Sequence, residues 1–542
     1  MMVRERLYIY DTTLRDGQQT QGVQFSKQDK LSIMSALDKL GVDYIEGGWP
    51  GANPTDDDFF SVVNELKFSK LSAFGMTKRT GFSVENDDIL SAVVNAGTST
   101  VCLVGKSNDF HVRNALNVSL EENLNNISAS IQYLIGLGRE AIFDAEHFFD
   151  GYKSNPEYAL KTLEAAYSSG ARWIVLCDTN GGTLPDEIFE IISAVIGKGI
   201  PRLKLGIHAH NDTGNAVANS LAALKAGVRH LQGTLNGLGE RCGNADLVSL
   251  IPTLLLKEPF SKTLELSISK NELSLITHTS RLLDDLLNRI PSRGAPYVGA
   301  SAFAHKGGLH ASAVLKDPNT YEHIDPSLVG NKRVIPMSNQ AGRSNLLSRL
   351  GDAGIKVQKN NPKLDEILKE IKSQEDKGFS FDLAQASFEL LAHRILGSLP
   401  NYFEVKRYRV LMERRKNKYN EVVTLSEAMV ALKINNKKVL SVSESLDAEG
   451  SDRGPVNALA RAISKDIGPY QPYIDDIKLV DFKVRITSGG VGAVTRVLID
   501  SEDSDGNRWS TVGVSANIID ASFQALLDAL NWKLLKSNVE PI

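Results

Sequence analysis

Eight short β-rich runs punctuate roughly the first 250 residues, with amphipathic helical segments between them. The runs are LYIYDTT (7–13), DYIEGGW (43–49), KLSAFGM (70–76), STVCLVG (99–105), EAIFDAEHF (140–148), RWIVLCDT (172–179), LKLGIHAHN (203–211) and RHLQGTLNG (229–237). Segments 27–40, 120–137 and 156–169 carry the helical periodicity, and Gly41, Gly97, Gly138, Gly170 and Gly227 stand where left-handed C-caps would close a helix before the next strand. Strand and helix alternating over this length predict an α/β fold, an N-terminal (β/α)8 TIM barrel of eight parallel strands. A doubly wound open sheet is the competing architecture, but no GxGxxG follows the first run.

The rest of the 542 residues divides by pattern. After a barrel at 1–265, a helical linker or lid region covers 266–395, with a stretch from 291 to 342 rich in Gly, Pro and Ser. Alternating apolar and polar residues then predict a C-terminal α+β regulatory or dimerisation domain at 396–542, with helices at 455–465 and 519–533. Within it, Asp505-Gly506 between two strand-like runs reads as a hairpin turn. Composition agrees with a soluble protein: 42% apolar, 23% charged, net charge -4. That balance gives no drive toward nucleic acid or anionic membrane, and no apolar run is long enough to span a bilayer. Cys102, Cys177 and Cys242 are odd in number and far apart, which points to a reducing cytoplasm rather than a disulfide framework. The N-terminus has no apolar core of a signal peptide. Cys102 and Cys177, inside apolar runs, read as core residues; Cys242 has no partner cysteine.

Chemistry concentrates at strand ends. His208 and His210 lie two apart on the seventh run, so their side chains share a face at the C-terminal end, where barrels place their active sites. They form either a two-ligand metal platform or a pair hydrogen-bonded among loop residues. Asp16, after the first run, would add a carboxylate, and Arg15 beside it a fixed positive charge suited to an oxyanion; the pair could equally clamp a turn. Asp144 and Glu146 share a face at the end of the fifth run, as a general base or a positioning group. Thr179 and Asn180 end the sixth, and Asn244, in the glycine-rich NGLGERCGNADL, can supply an oxygen ligand. His310, in GGLHASAV, lies outside the barrel; it is either structural or merely exposed, or its loop reaches over a barrel mouth, its own or a second subunit's.

DTTLRDG, HAHND and NGLGERCGNADL together resemble the metal-dependent (β/α)8 family of 2-isopropylmalate, homocitrate and citramalate synthases. The resemblance extends over the whole chain, through FAHKGGLHASAV and NTYEHIDPSLVG to a C-terminal stretch similar to the regulatory domain of the leucine and isoleucine pathway synthases. It implies acetyl-CoA as one substrate and a divalent metal ion, Mg2+ or Mn2+ before Zn2+ or Co2+, held by Asp16, His208 and His210 with Asn244 close by. Arg15 would stabilise the oxygen of a 2-oxo acid, Thr179 and Glu146 would contact that acid, and Glu146 is also an acid/base candidate. His310 would come from the partner subunit of a homodimer to assist proton transfer, with Tyr321 near the mouth. QTQGVQFSKQDK, DYIEGGWPGANPTD and FDAEHFFDGY are most similar to the group using pyruvate to make (R)-citramalate for isoleucine. The alternative is the group using 2-oxoisovalerate to make 2-isopropylmalate for leucine, which tends to carry GFP where this chain has Gly48-Trp49-Pro50 and HCHND where it has Ala209. Asp144 stands where the family varies, and with Met76 and Val104 is a candidate for setting pocket size. Isoleucine would be the effector at the C-terminal domain, with Gly489, Gly490 and Gly492 bordering its site. A hydroxymethylglutaryl-CoA lyase would share barrel and metal without needing that domain. A catalytically dead ligand sensor would not need intact Arg15, Asp16, His208 and His210.

Overall fold

The computed structural model describes residues 4–62, 66–287, 289, 291–306, 308–335, 342–381, 383–416, 420, 422–446, 454–486 and 493–541; Gly489, Gly490 and Gly492 lie outside them. By contacts the chain forms two compact units, Met1–Phe303 with His323–Arg333, and Ala304–Glu322 with Val334–Ile542. The stretch 266–395 is thus shared between the two.

In the first unit each of the eight β-rich runs contains a strand: β1 (Tyr8–Asp11), β2 (Tyr44–Gly48), β3 (Lys70–Met76), β4 (Thr100–Lys106), β5 (Glu140–Glu146), β6 (Trp173–Asp178), β7 (Leu205–Ala209) and β8 (His230–Gly233). A helix follows each: α1 (Lys27–Leu40), α2 (Pro54–Val62), α3 (Asp88–Asn95), α4 (Leu120–Gly136), α5 (Pro156–Ser168), α6 (Pro185–Gly197), α7 (Ala216–Ala226) and α8 (Leu247–Leu256). The strands pair in parallel in chain order, and β1 returns to β8 with Tyr8 opposite His230 and Asp11 opposite Gly233, closing the barrel.

Local chemistry sets these elements. In α1, Ser26 and Asp29 form a reciprocal capping box, Ile33, Leu37 and Leu40 make the buried stripe, and Gly41 ends the helix at φ 88°. The glycines at 97, 138, 170 and 227 also take positive φ. On the strands the period of two separates two layers. Leu103, Phe143, Ile174, Leu176, Ile207 and Leu231 join the core beneath the helices. Their alternates Cys102, Ile142, Trp173, Val175 and Cys177 meet Tyr10, Tyr44 and Phe74 in a second cluster that fills the barrel. The two cysteines are therefore core residues, while Cys242 is exposed. Continuing the inward-facing positions toward the strand ends gives Asp144, Glu146, His208 and Gln232, so polar chemistry sits on an apolar floor.

The second unit contains α10 (Gly308–Lys316), α11 (Arg343–Asp352), α12 (Lys363–Asp376) and α13 (Gln385–Leu396), numbered after α9 (Ile276–Leu286) of the first. Leu346, Leu350, Leu364, Ile367, Ile371 and Phe388 give α11–α13 a small core of their own. A βββα pattern then occurs twice. β9 (Glu404–Lys416), β10 (Val422–Ile434) and β11 (Lys437–Leu446) form an antiparallel sheet followed by α14 (Pro455–Ser464), and β12 (Lys478–Ile486), β13 (Thr495–Glu502) and β14 (Arg508–Ser515) form another followed by α15 (Ile518–Lys536). The Asp505-Gly506 turn joins β13 to β14, with Glu502 opposite Arg508. No described helix is long and apolar enough to cross a membrane.

Candidate active site

The loop after β1 is shaped by its own backbone. The N–H groups of Arg15, Asp16 and Gly17 all donate to the Thr12 carbonyl, a tight turn that carries Arg15 and Asp16 into the barrel mouth. Asp11 braces it, accepting from the Thr13 N–H at 2.9 Å and the Thr13 hydroxyl at 2.8 Å; Thr13 Oγ1 accepts from the N–H of Leu235, in the loop after β8. The first and eighth strand ends are thereby tied together.

Arg15 is held from two sides. Its Nε donates to Glu46 Oε1 at 2.5 Å and its guanidinium carbon lies 3.8 Å from the centre of the Phe74 ring. Glu46 is fully buried and accepts a second bond from the Tyr10 hydroxyl at 2.7 Å. Asp16 Oδ2 lies 3.6 Å from Arg15 Nη1 and 3.1 Å from His208 Nε2. His208 Nε2 lies 3.4 Å from His210 Nε2, and Asn244 Nδ2 donates to Asp16 Oδ2 at 2.8 Å. Four of the residues expected in the metal sphere thus converge, and one donor atom each from Asp16, His208 and His210 falls within a 4.8 Å group.

These donors fit a divalent cation. A carboxylate and two imidazole nitrogens face one point, while Asp16 Oδ1 and Asn244 Oδ1 are buried acceptors with no donor. The loop is built for close approach: a Cβ on Gly239 (φ 157°) would stand 2.4 Å from Asn244 Oδ1. Burial pushes the Asp16 carboxyl up, but Arg15 and His208 outweigh it and hold the group well below the usual carboxylate range. Burial, reinforced by His208, lowers His210 to about 4, and burial raises Asp144 to about 6.

The cluster opens on a cavity of about 220 Å3 that Trp49, Phe74, Val104, Asp144, Glu146, Cys177 and Thr179 also line. Glu146 is ion-paired with Lys106 at 2.6 Å. Thr179 Oγ1 accepts from the His147 N–H at 2.8 Å, which leaves its own proton free for a ligand. Over the rim, Arg241 binds Asp212 through Nε at 2.7 Å and donates to the Thr179 carbonyl at 2.8 Å. Arg241 adopts φ 58°, an uncommon conformation for a residue with a Cβ.

Met76 and Asn180 are not among the residues lining the cavity. Met76 pairs with Val104 across the β3–β4 ladder. Asn180 donates to Asp150 at 2.6 Å. His310 and Tyr321 stack on each other in the second unit with ring centres 4.3 Å apart. Sequence reading missed Glu46, Lys106, Gln232 and Arg241. A charged or amide residue at an inward position of an otherwise apolar strand was the available signal for Glu46 and Gln232.

Comparison with known proteins gives the same outline. Residues 6–277 match the HMGL-like family model, 297–378 the homocitrate synthase post-HMGL domain-like model, and 382–534 the LeuA allosteric (dimerisation) domain. The chain is 48% identical over 99% of its length to the (R)-citramalate synthase of Aquifex aeolicus, of which it covers 99%. It is 47% identical to that of Geobacter sulfurreducens, with 98% of each chain covered. The 2-isopropylmalate synthase of Dictyoglomus turgidum is 30% identical over 97% of this chain and 98% of its own. The chain belongs to the HMGL-like family, in the branch that holds the (R)-citramalate and 2-isopropylmalate synthases.

Proposed function

We propose that this protein condenses acetyl-CoA with pyruvate and water to give (R)-citramalate and CoA, the opening step of a pyruvate route to isoleucine. The observation that carries this is the end-to-end identity of 47–48% to (R)-citramalate synthases, against 30% to a 2-isopropylmalate synthase.

Asp16, His208 and His210, with Asn244 beside them, would hold a divalent cation, Mg2+ or Mn2+ first and Zn2+ or Co2+ next. Such an ion supplies Lewis-acid polarisation of the ketone of the 2-oxo acid. The chain's own groups do the rest. The Thr179 hydroxyl, its oxygen already bonded to the His147 N–H, donates to the oxo acid. Arg15, fixed by Glu46 and Phe74, stabilises the negative charge that develops on the ketone oxygen as the acetyl-CoA enolate attacks. Glu146, its charge balanced by Lys106, is placed in the cavity to accept or return a proton. Water then cleaves the citramalyl thioester; CoA leaves, and the carboxylate formed makes the overall step effectively irreversible. His310 and Tyr321 keep the roles the resemblance gives them in an assembled homodimer, proton transfer and a place near the mouth.

The C-terminal domain at 396–542 is assigned dimerisation and feedback inhibition, with isoleucine as the effector; the match at 382–534 supports dimerisation and allosteric regulation. A cytoplasmic location agrees with the exposed, unpaired thiol of Cys242. The test is release of free CoA from acetyl-CoA with Mn2+ and pyruvate, 2-oxoisovalerate or 2-oxoglutarate, each repeated with EDTA. Release with pyruvate alone, lost with EDTA, is expected. Preference for 2-oxoisovalerate moves the protein to leucine synthesis, and silence with all three refutes the reaction.

A further inference from the structure

We infer that Gln232 and Asp144 are positioning residues that decide which ring nitrogen of His208 faces the cation site. The inference rests on the reading of Asp16, His208 and His210 as a metal centre. Gln232 lies two residues beyond His230 on β8, points into the barrel and is fully buried. Its amide meets three groups: Oε1 is 2.7 Å from His208 Nδ1, and Nε2 is 3.0 Å from Asp144 Oδ1 and 3.4 Å from His230 Nε2.

An amide has one accepting end and one end with two donors. A carboxylate only accepts, so the Gln232 Nε2 must face Asp144 and its oxygen must face His208. Turning the amide over would set its oxygen against the buried Asp144 oxygen, two acceptors with no proton between them. With the oxygen toward His208, the proton of the neutral imidazole sits on Nδ1. In that neutral form, the one a cation takes, Nε2 presents its lone pair on the side where Asp16 Oδ2 and His210 Nε2 lie, at 3.1 and 3.4 Å. His230 takes the second amide proton through Nε2; its Nδ1 has no partner, and Tyr10 and Trp173 wall its ring. Asp144 thus acts on the metal ligand at one remove, across three strands.

The test is calorimetric titration of Mn2+ into the metal-stripped, full-length protein, with folding checked by circular dichroism. Gln232→Met keeps the bulk but cannot accept from Nδ1, and should weaken Mn2+ binding about 10–100-fold. Gln232→Glu alone sets two carboxylates together, and Asp144→Asn alone lets the amides pair in either sense; both should bind more weakly than wild type. The exchange Asp144→Asn/Gln232→Glu restores an acceptor at His208, a donor between the two positions and the original charge. It should return affinity to within about threefold of wild type, which mere filling of the barrel does not require. Folded Gln232→Met with wild-type affinity, or an exchange no better than the single variants, overturns the inference and leaves the metal centre standing. Wild type that takes up no Mn2+, or binds it no better than Asp16→Ala, refutes the metal centre and the inference with it.

Discussion

Replacing Glu46 by Gln removes one charge from a buried ion pair and keeps the side chain's shape. Losing one partner of such a pair costs about 3–5 kcal/mol when nothing else answers the charge left behind. Two features reduce that figure here. Gln retains an acceptor for Arg15 Nε, and Asp16 Oδ2, 3.6 Å from Nη1, still faces the guanidinium. A loss of about 2–3 kcal/mol follows, or about 5–10 °C in the melting of the barrel unit at roughly 2–4 °C per kcal/mol. The catalytic effect should be separate. Arg15 answers charge that exists only as bond formation proceeds, so a guanidinium held by a neutral acceptor instead of a carboxylate should lower kcat by about 10–100-fold and change KM for pyruvate less. Calorimetry and steady-state thiol release on one preparation measure both. Lower thermal stability with unchanged kcat would show that the pair serves the fold alone; no change in either would refute the burial argument itself.

Asp16→Ala should abolish Mn2+ uptake and reduce turnover by at least about 1000-fold; wild-type turnover would remove the metal from the mechanism. Val104 lines the cavity, and Val104→Ala should raise 2-oxoisovalerate use relative to pyruvate by about tenfold, since a methylene is worth about 1–3 kcal/mol in such a pocket. An unchanged ratio of kcat/KM values would free that wall of any role in size selection. In the second unit, Asp503 accepts from the Asn507 N–H at 2.9 Å and from Lys533 Nζ at 2.7 Å. Burial opposes these bonds, but they hold its carboxyl at about 2, below the ordinary 3.8. The stability it contributes is therefore present above about pH 4 and lost as pH falls toward 2. Lys533→Met should lower the urea midpoint at pH 7 and flatten its fall between pH 4 and 3; an unaltered slope would assign the acid sensitivity elsewhere.

The barrel was legible because its signals are local. Hydrophobic period, glycine caps and turn chemistry act within a few residues, and they placed all eight strands to within a few residues at each end. The same holds for the β13–β14 hairpin. Asp16, His208 and His210 were legible because each stands at or shortly beyond a strand end, where the fold dictates proximity, whereas Asn244, well along the loop after β8, was legible as an oxygen donor in the glycine-rich NGLGERCGNADL. Their supports were not. Arg15 and Glu46 are 31 residues apart, His208 and Gln232 are 24 apart, and Asp144 and Gln232 are 88 apart. The first two pairs meet across neighbouring strands, β1–β2 and β7–β8, and the third crosses the barrel interior from β5 to β8, so strand register and barrel curvature, not local sequence, bring these partners within bonding distance. The doubled βββα pattern was missed for another reason: its repeats share an order of elements without a shared run of residues.

Charge around the cavity is uneven, and this bears on the order in which ligands bind. Glu46 is matched by Arg15, Glu146 by Lys106 and Asp212 by Arg241. Asp16 and Asp144 remain, 2% and 3% exposed. Asp16 shares Arg15 with Glu46 and has Asn244 Nδ2 at 2.8 Å and His208 Nε2 at 3.1 Å as its nearer partners, while Asp144 has the uncharged amide of Gln232. A 2-oxo acid would add another negative charge where unmatched charge already costs several kcal/mol. A divalent cation between Asp16 and the imidazoles offsets both Asp16 and the incoming carboxylate. Pyruvate should therefore bind after the cation, with an affinity for the stripped protein at least about 100-fold weaker, or about 2.7 kcal/mol. Equal pyruvate affinity with and without Mn2+, measured by calorimetry in the absence of acetyl-CoA, would show that Arg15 and Thr179 suffice to hold the acid and that the cation serves only the later chemistry.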